Sequence, residues 1–106
     1  MSAADSIRIG PLTADWQNAW ELCKTKYEAD GIPMFEKFCR TLNFEADITN
    51  TADVEWSRTS IGNNPAGRLG AGESIFRNTG GYLQNENLYT LYVRGNGQYL
   101  LIERQQ

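Results

Sequence analysis

The hydrophobic pattern of this chain changes its period near Asn43, and that change restricts the fold more than any other feature. Between residues 16 and 27, large apolar side chains recur at the helical period on one face, which consists of Trp16, Trp20, Cys23 and Tyr27. From Asn43 onward, apolar and polar residues alternate, as they do in a half-buried strand. The chain is therefore predicted to be α+β, with N-terminal helices packed on a mostly antiparallel sheet of about four to five strands.

Two helices are predicted before the period changes. The first begins at a cap, either Thr13 or Asp15, runs to about Ala29 and stops at Asp30-Gly31. The second covers residues 33–42, because proline suits the first turn of a helix. The alternative for this segment is an irregular stretch that wraps the sheet. Its buried side would consist of Met34, Phe35, Phe38, Cys39 and Leu42.

The remaining residues are predicted to form the sheet. Strands are expected at residues 43–48, 54–59 and 73–79, with a turn at 50–53. The sheet should end in a β-hairpin, since Leu88 to Arg94 and Gln98 to Arg104 flank Gly95-Asn96-Gly97, and glycine and asparagine accept the positive φ angles of tight turns. No repeat or linker interrupts the sequence, so residues 1–106 are predicted to be one domain.

A long glycine-rich loop is predicted at residues 62–72, and loops of this kind are usually functional or ordered by a partner. Its end resembles a phosphate loop, but a Walker sequence needs lysine where this chain has Glu73, and a carboxylate there repels phosphate. No helical pattern follows, as a dinucleotide-binding fingerprint would require. Phosphate binding is therefore not expected.

The N-terminal residues 1–11 are predicted to be an extended arm that pairs with a neighbouring subunit, or else a frayed terminus, and the alternation of Ile7 and Ile9 with polar residues allows a short edge strand. They contain neither the apolar core nor the basic flank of a signal peptide, and no apolar run in the chain is long enough for a membrane span. The two cysteines, Cys23 and Cys39, are expected to be small buried apolar residues, with a disulfide as the alternative. Without histidine or a Cys-x-x-Cys motif, a metal site or a cofactor is not expected.

The composition argues against an enzyme. The chain has no histidine, which is the commonest general base near neutral pH. Glu45, Asp47, Asp53 and Glu55 lie on neighbouring predicted strands, but carboxylates on a polar strand face are normally just solvated. A net charge of −3 also argues against sequence-specific nucleic-acid binding, which normally uses a basic face. Arg58, Arg68, Arg77 and Arg94 are candidates for salt bridges between subunits, or for solubility alone.

The segment 48–83 has a distinct order of short motifs: Trp56-Ser57-Arg58 on a strand, then Leu69-Gly70, then Phe76-Arg77-Asn78-Thr79-Gly80, followed by Tyr82 and Leu83. This order resembles the middle of the tail terminator proteins of long-tailed bacteriophages. The match covers about a third of the chain. The resemblance implies a small α+β virion protein that forms a hexameric ring at the head-proximal end of the tail tube and lets DNA pass.

The leading hypothesis is therefore a non-enzymatic virion subunit, a tail terminator or a neck or tail-completion protein, which is assembled in the host cytoplasm and binds itself and other tail proteins. The candidate subunit interface consists of Ile7, Ile9, Arg58, Arg68, Leu69 and Arg77. An alternative is a small phage-encoded inhibitor that blocks a host defence complex. A third is a small-molecule-binding barrel whose pocket is lined by Trp16, Trp20 and Phe38.

Overall fold

The computed structural model describes residues 4–31, 41–60, 64–76 and 86–105, and these residues form two four-stranded antiparallel sheets and two helices. Sheet A has the order β1-β8-β3-β6 and sheet B the order β2-β7-β4-β5. The α+β class is confirmed in its broad sense, but two sheets stand where one was predicted. The elements in chain order are β1 (Ala4–Ile9), β2 (Gln17–Asn18), α1 (Ala19–Asp30), β3 (Thr41–Ala46), β4 (Val54–Ser57), β5 (Gly67–Leu69), β6 (Ser74–Ile75), α2 (Glu86–Tyr89), β7 (Tyr92–Arg94) and β8 (Leu100–Gln105).

Helix α1 starts later than predicted and stops where predicted. Its N-cap is Asn18, whose side chain accepts a hydrogen bond from the Glu21 amide, because residues 17–18 are held in β2 by pairing with β7. Gly31 ends the helix in the left-handed conformation with φ 67°, and its amide donates to the Glu28 carbonyl. The stop at Asp30-Gly31 is therefore confirmed, while Thr13 and Asp15 lie in a turn ahead of β2.

One apolar core is shared by both sheets and α1. Helix α1 contributes Cys23 and Tyr27, which are fully buried as the helical pattern predicts, while Trp20 is only partly buried and Trp16 lies ahead of the helix. The alternation predicted from residue 43 is confirmed for Phe44 and Ala46, which point into the core, but not for Ile48, which lies past the end of β3 and is 75% exposed. The buried apolar residues are Ile7, Ile9, Leu12, Ala19, Cys23, Tyr27, Leu42, Phe44, Ala46, Val54, Leu69, Leu88, Leu91, Val93, Leu100 and Ile102.

The predicted C-terminal hairpin is wrong. The chain does turn at residues 95–98, where the Gln98 amide donates to the Gly95 carbonyl, but β7 belongs to sheet B and β8 to sheet A. The turn pairs instead with the segment before β2, because the Gly97 amide donates to the Leu12 carbonyl. Strand β8 gains six residue pairs with β1 and six with β3, which is more pairing than the three-residue β7 could offer.

The predicted loop at residues 62–72 is also wrong in part. Residues 67–69 form β5, which pairs with β4 so that Trp56 lies opposite Gly67 and Val54 opposite Leu69. The strand that was predicted at 73–79 is limited to β6 among the described residues. The second predicted helix lies mostly outside them, but its expected last residue, Leu42, is a fully buried residue of β3.

Residues 4–9 do not form a free arm. Strand β1 pairs along all six residues with β8, and Ile7 and Ile9 are buried against the core. Their alternation with polar residues, which also allowed an edge strand, gives β1 one apolar face that the chain's own fold covers. Within the described ranges, β1 has a partner strand on one side only, so it forms an edge of sheet A.

Candidate functional site

Three charged side chains lie in register across sheet B and form the most developed polar site of the described residues. Glu55 of β4 is opposite Arg68 of β5 on one side and Arg94 of β7 on the other. The Arg68 Nε donates to Glu55 Oε2 at 3.1 Å, and the Arg94 Nε donates to Glu55 Oε1 at 2.8 Å. We call this arrangement the Glu55 triad. Each carboxylate oxygen of Glu55 is held by one guanidinium.

The two arginines of the Glu55 triad differ in how exposed their side chains are and in how many groups hold them. The Arg94 guanidinium lies 4.2 Å from the centre of the Trp16 ring, a cation–π contact, and its side chain is 21% exposed. The Arg68 side chain is 61% exposed. Arg94 is therefore fixed between an aromatic ring and a carboxylate, while Arg68 presents much of its guanidinium to solvent.

An open cleft of about 390 Å³ lies beside the Glu55 triad. Its walls combine the three triad side chains with Asp53 and a backbone turn, so two carboxylates and two guanidinium groups line the same cleft. The lining residues are Ala14, Asp53, Glu55, Arg68, Arg94, Gly95 and Asn96.

A second ion pair joins β1 to the turn after β3. Arg8 Nε donates to Asp47 Oδ2 at 2.7 Å, while the Thr49 hydroxyl and amide donate to Asp47 Oδ1 at 2.6 and 2.8 Å. The hydrogen bonds from Thr49 and then from Arg8 lower the pKa of Asp47 to about 2. The Arg8 guanidinium also lies 3.9 Å from the centre of the Tyr99 ring. These contacts hold the edge strand β1 against the turn after β3, so the role of the cluster is structural.

The structure places the predicted interface residues in different environments. Ile7, Ile9 and Leu69 are at most 5% exposed, so their side chains belong to the core of this chain. Arg58 is exposed, but it donates to the Asn87 carbonyl and to the Thr90 hydroxyl of its own chain. Arg68 is in the Glu55 triad, and Arg77 lies outside the described residues. Of the candidate interface residues that the structure describes, Arg68 is thus the one that lines the cleft beside the Glu55 triad.

Hydrogen bonds between Glu73 and Gly70 form a turn at the end of the glycine-rich segment. The Gly70 amide donates to Glu73 Oε1 at 2.8 Å, and the Glu73 amide donates to the Gly70 carbonyl at 2.9 Å. A backbone amide that could face a phosphate is therefore taken up by a carboxylate. The position of Glu73, which argued against a phosphate loop in the sequence, has this local structural role.

The structure also shows the contacts of the residues that were considered for catalysis, for a ligand pocket and for a metal site. Of the four carboxylates considered for catalysis, Asp47 and Glu55 are each paired with arginine. Trp16 stacks on Arg94, and Trp20 meets Tyr89 edge-to-face with ring centres 4.5 Å apart, so both contact protein groups. Phe38 lies outside the described residues. Among the residues that the structure describes, no three potential ligands cluster as a metal site would require.

Sequence reasoning missed the triad although its members were visible. Glu55 and Arg68 were each considered separately, and Arg94 was considered as a salt-bridge residue without a partner. Glu55 stands on a predicted strand, and opposite charges directly across strands attract each other. What the sequence lacked was the register, because Arg68 was assigned to a loop and Arg94 to the wrong hairpin.

Comparisons with known proteins give this chain no relative: no family model, no curated protein and no solved structure matches it. Neither helix in the described ranges is long and apolar enough to cross a membrane. Any functional conclusion therefore depends on the geometry of the chain and on the resemblance in its central segment.

Proposed function

We propose that this protein is a non-enzymatic structural subunit that assembles through the edge of β1, which has no second partner strand among the described residues, by adding it to a neighbouring subunit. The observation that carries the proposal is the edge itself. Strand β1 is six residues long, which at about 3.3 Å per residue gives roughly 20 Å of edge. Edge strands expose unpaired amides and carbonyls, and these groups can pair with another chain.

Edge β1 lacks one of the usual protections against pairing, proline, and has Asp5 and Arg8 as its charged residues. Natural edges are kept apart by very short strands, by proline or by charged side chains that reach over the edge. Residues 4–9 contain no proline, and the guanidinium of Arg8 is drawn onto Asp47 and Tyr99. The other edge of sheet A, β6, is only two residues long. A partner strand is therefore favoured on the β1 side.

The proposal places this subunit in the virion of a long-tailed bacteriophage, as a tail terminator or a neck or tail-completion protein. Two parts of the central pattern support this placement, since Trp56 and Leu69 belong to the adjacent paired strands β4 and β5. They thus form one structural unit. The net charge of −3 suits a ring whose lumen passes DNA without holding it.

The experiment is a dilution series of the purified protein, followed by native mass measurement and hydrogen exchange. We expect a closed oligomer at high concentration and a monomer after dilution. Amides of residues 4–9 that face the open edge should exchange faster in the monomer. Amides of β8 provide the control, because β8 is paired on both sides within the chain.

Two results would count against the proposal. One is a protein that stays monomeric at every concentration, and the other is an oligomer in which exchange of residues 4–9 does not change. Electron microscopy should show rings that attach to tail tubes. A monomer that retains one host complex from a lysate in fixed stoichiometry would instead support the inhibitor hypothesis.

A further inference from the structure

Asn96 and Gly97 form the exposed tip of the turn between β7 of sheet B and β8 of sheet A. The turn is closed by the Gln98 amide, which donates to the Gly95 carbonyl at 2.8 Å, and Gly97 occupies its third position with φ 78°. This conformation is typical of a type II turn, which favours glycine at that position. The fold of the turn therefore places a glycine directly after an exposed asparagine.

An asparagine that precedes glycine can react with the backbone that follows it. The amide nitrogen of the next residue attacks the side-chain Cγ, the Cγ–Nδ2 bond breaks, and ammonia leaves with the proton of that amide. Water then opens the resulting imide ring at one of its two carbonyls, which gives aspartate or isoaspartate. Glycine favours the attack because it has no Cβ to hinder a close approach. No other asparagine of this sequence precedes a glycine.

The structure holds the nucleophile of this reaction in a hydrogen bond. The Gly97 amide donates to the Leu12 carbonyl at 2.9 Å, so its nitrogen keeps its proton and is not available for attack. The Leu12 amide donates back to the Gln98 carbonyl at 2.8 Å, which joins the turn to the same segment a second time. Attack on Asn96 therefore requires that the turn first separates from the segment before β2.

The side chain of Gln98 holds the turn from its inner side. It is buried, and its Nε2 donates to the Asn96 carbonyl at 3.0 Å. Its Oε1 accepts hydrogen bonds from the amides of Thr51 and Ala52 at 2.9 and 3.1 Å. The Asn96 backbone is thus joined to the loop before β4 as well as to the segment before β2.

We propose that Asn96 is a site of spontaneous conversion to aspartate and isoaspartate, and that the hydrogen bond from Gly97 to Leu12 controls the rate of this conversion. Local opening of an exposed turn needs less free energy than global unfolding. The folded protein therefore converts slowly, at a rate set by how often the turn leaves Leu12. This inference is independent of the proposed function, since none of these residues belongs to β1.

The product changes both the charge and the backbone of the turn. Asn96 and Asp53 line the same cleft, so a carboxylate at residue 96 repels the carboxylate of Asp53. Isoaspartate also carries the chain through its side-chain carbon, which lengthens the main chain of the turn. Because this turn joins the two sheets, the isoaspartate form should be less stable than the unmodified protein.

The test compares the conversion of Asn96 in the folded protein and in urea at the same mildly alkaline pH. Cleavage after Arg94 and Arg104 releases the peptide 95–104, in which Asn96 is the single asparagine. The mass of this peptide reports the replacement of the amide by an acid, and chromatography separates isoaspartate from aspartate. Hydrogen exchange of the Gly97 amide is measured on the same folded protein.

Three variants accompany the wild type. Gln98→Ala removes the side chain that holds the turn. Asn18→Ala is the matched control, because it also removes side-chain hydrogen bonds, but those contacts go to Glu21 and Tyr89 instead of the turn. Asn96→Ser lacks the reacting amide and gives the background of the assay.

We expect Asn96 to be the first asparagine that converts in urea, and conversion in the folded protein to be at least about tenfold slower, because the turn opens rarely. The same factor should separate hydrogen exchange of the Gly97 amide in the two states, since both reactions need the same opening. Gln98→Ala should speed conversion in the folded protein by about three- to tenfold, as the loss of a hydrogen bond does. Asn18→Ala should leave the rate unchanged, and the isoaspartate form should unfold at a lower urea concentration.

Three results would overturn the inference. Equal rates in the folded protein and in urea would mean that Leu12 does not protect the Gly97 amide. An Asn18→Ala protein that converts as fast as Gln98→Ala would assign the rate to global unfolding. A slowing of conversion that differs from the slowing of Gly97 exchange would separate the two events, and this comparison in the wild type decides even if Gln98→Ala does not fold.

Discussion

Replacing Gly67 by alanine should destabilise the protein through one specific collision. Gly67 of β5 lies opposite Trp56 of β4, and a Cβ atom added to it would stand 2.6 Å from Trp56 Nε1, 2.7 Å from Cε2 and 2.8 Å from Cζ2. Favourable contacts between such atoms need about 3.5–4.0 Å. The indole ring would therefore have to move by roughly 1 Å, away from the core residues on which it packs.

Two opposing terms decide the size of the effect. Overpacking of this kind costs about 1–3 kcal/mol in the free energy of unfolding. The loss of backbone freedom in the unfolded chain returns about 0.4–1 kcal/mol when glycine becomes alanine. The first term wins, and we expect Gly67→Ala to lose about 1–2 kcal/mol, which at about 4–8 °C per kcal/mol in a domain of this size lowers Tm by roughly 4–16 °C.

The assay is urea denaturation of four proteins at a concentration where all are monomeric: the wild type, Gly67→Ala, Trp56→Ala and the double variant. In the absence of the indole, the three atoms nearest to the added Cβ are gone, so alanine at residue 67 should be neutral or slightly stabilising. The coupling free energy of the cycle should therefore exceed about 1 kcal/mol. If Gly67→Ala costs the same in both backgrounds, or costs nothing in the first, the strand pairing of β4 with β5 is not as described.

Two further predictions concern polar contacts at the ends of elements. The pKa of Asp47 is lowered from 3.8 to about 2 in the folded chain, so its stabilising effect is complete above pH 3.8 and is lost as the pH falls through about 2. In urea denaturation at decreasing pH, the stability of Asp47→Asn should therefore fall less in this interval than that of the wild type. An equal fall in the two proteins would refute the assignment. The Asn18 side chain accepts from the Glu21 amide at 3.1 Å and donates to the Tyr89 carbonyl at 3.0 Å, so Asn18→Ala should lose about 1–2 kcal/mol in the same assay, while Asn18→Asp should keep the cap and lose only the second contact.

Helix α1 and the strand that follows it could be predicted from sequence because their signals are local. The spacing of Cys23 and Tyr27 depends on the helical period alone, and Gly31 ends the helix because glycine adopts a positive φ at little cost. The alternation around Phe44 likewise depends only on the pleat of a strand. None of these features needs knowledge of a distant residue.

Strand partners were not predictable in this way. A turn at Gly95-Asn96-Gly97 does form, but the sequence around it cannot show that β8 pairs with β1 and β3, roughly 60 to 100 residues away in sequence. The glycine-rich segment contains β5, where Trp56 of β4 packs over Gly67. Glycine has a poor strand propensity, so the sequence of this segment does not indicate a strand. The N-terminal strand was predicted to be an arm because the sequence does not show that β8 is its partner.

The sequence by itself determined the α+β class, the end of the first helix, the turns and the acidic, histidine-free character that argues against common catalytic chemistry. The tertiary structure alone decided that the strands divide into two sheets, that Ile7, Ile9 and Leu69 are buried, and that Arg68, Glu55 and Arg94 stand in one row. The physical reason is that helix periods and turn preferences act over a few residues, whereas strand register is fixed by hydrogen bonds and packing between segments that are far apart in the chain.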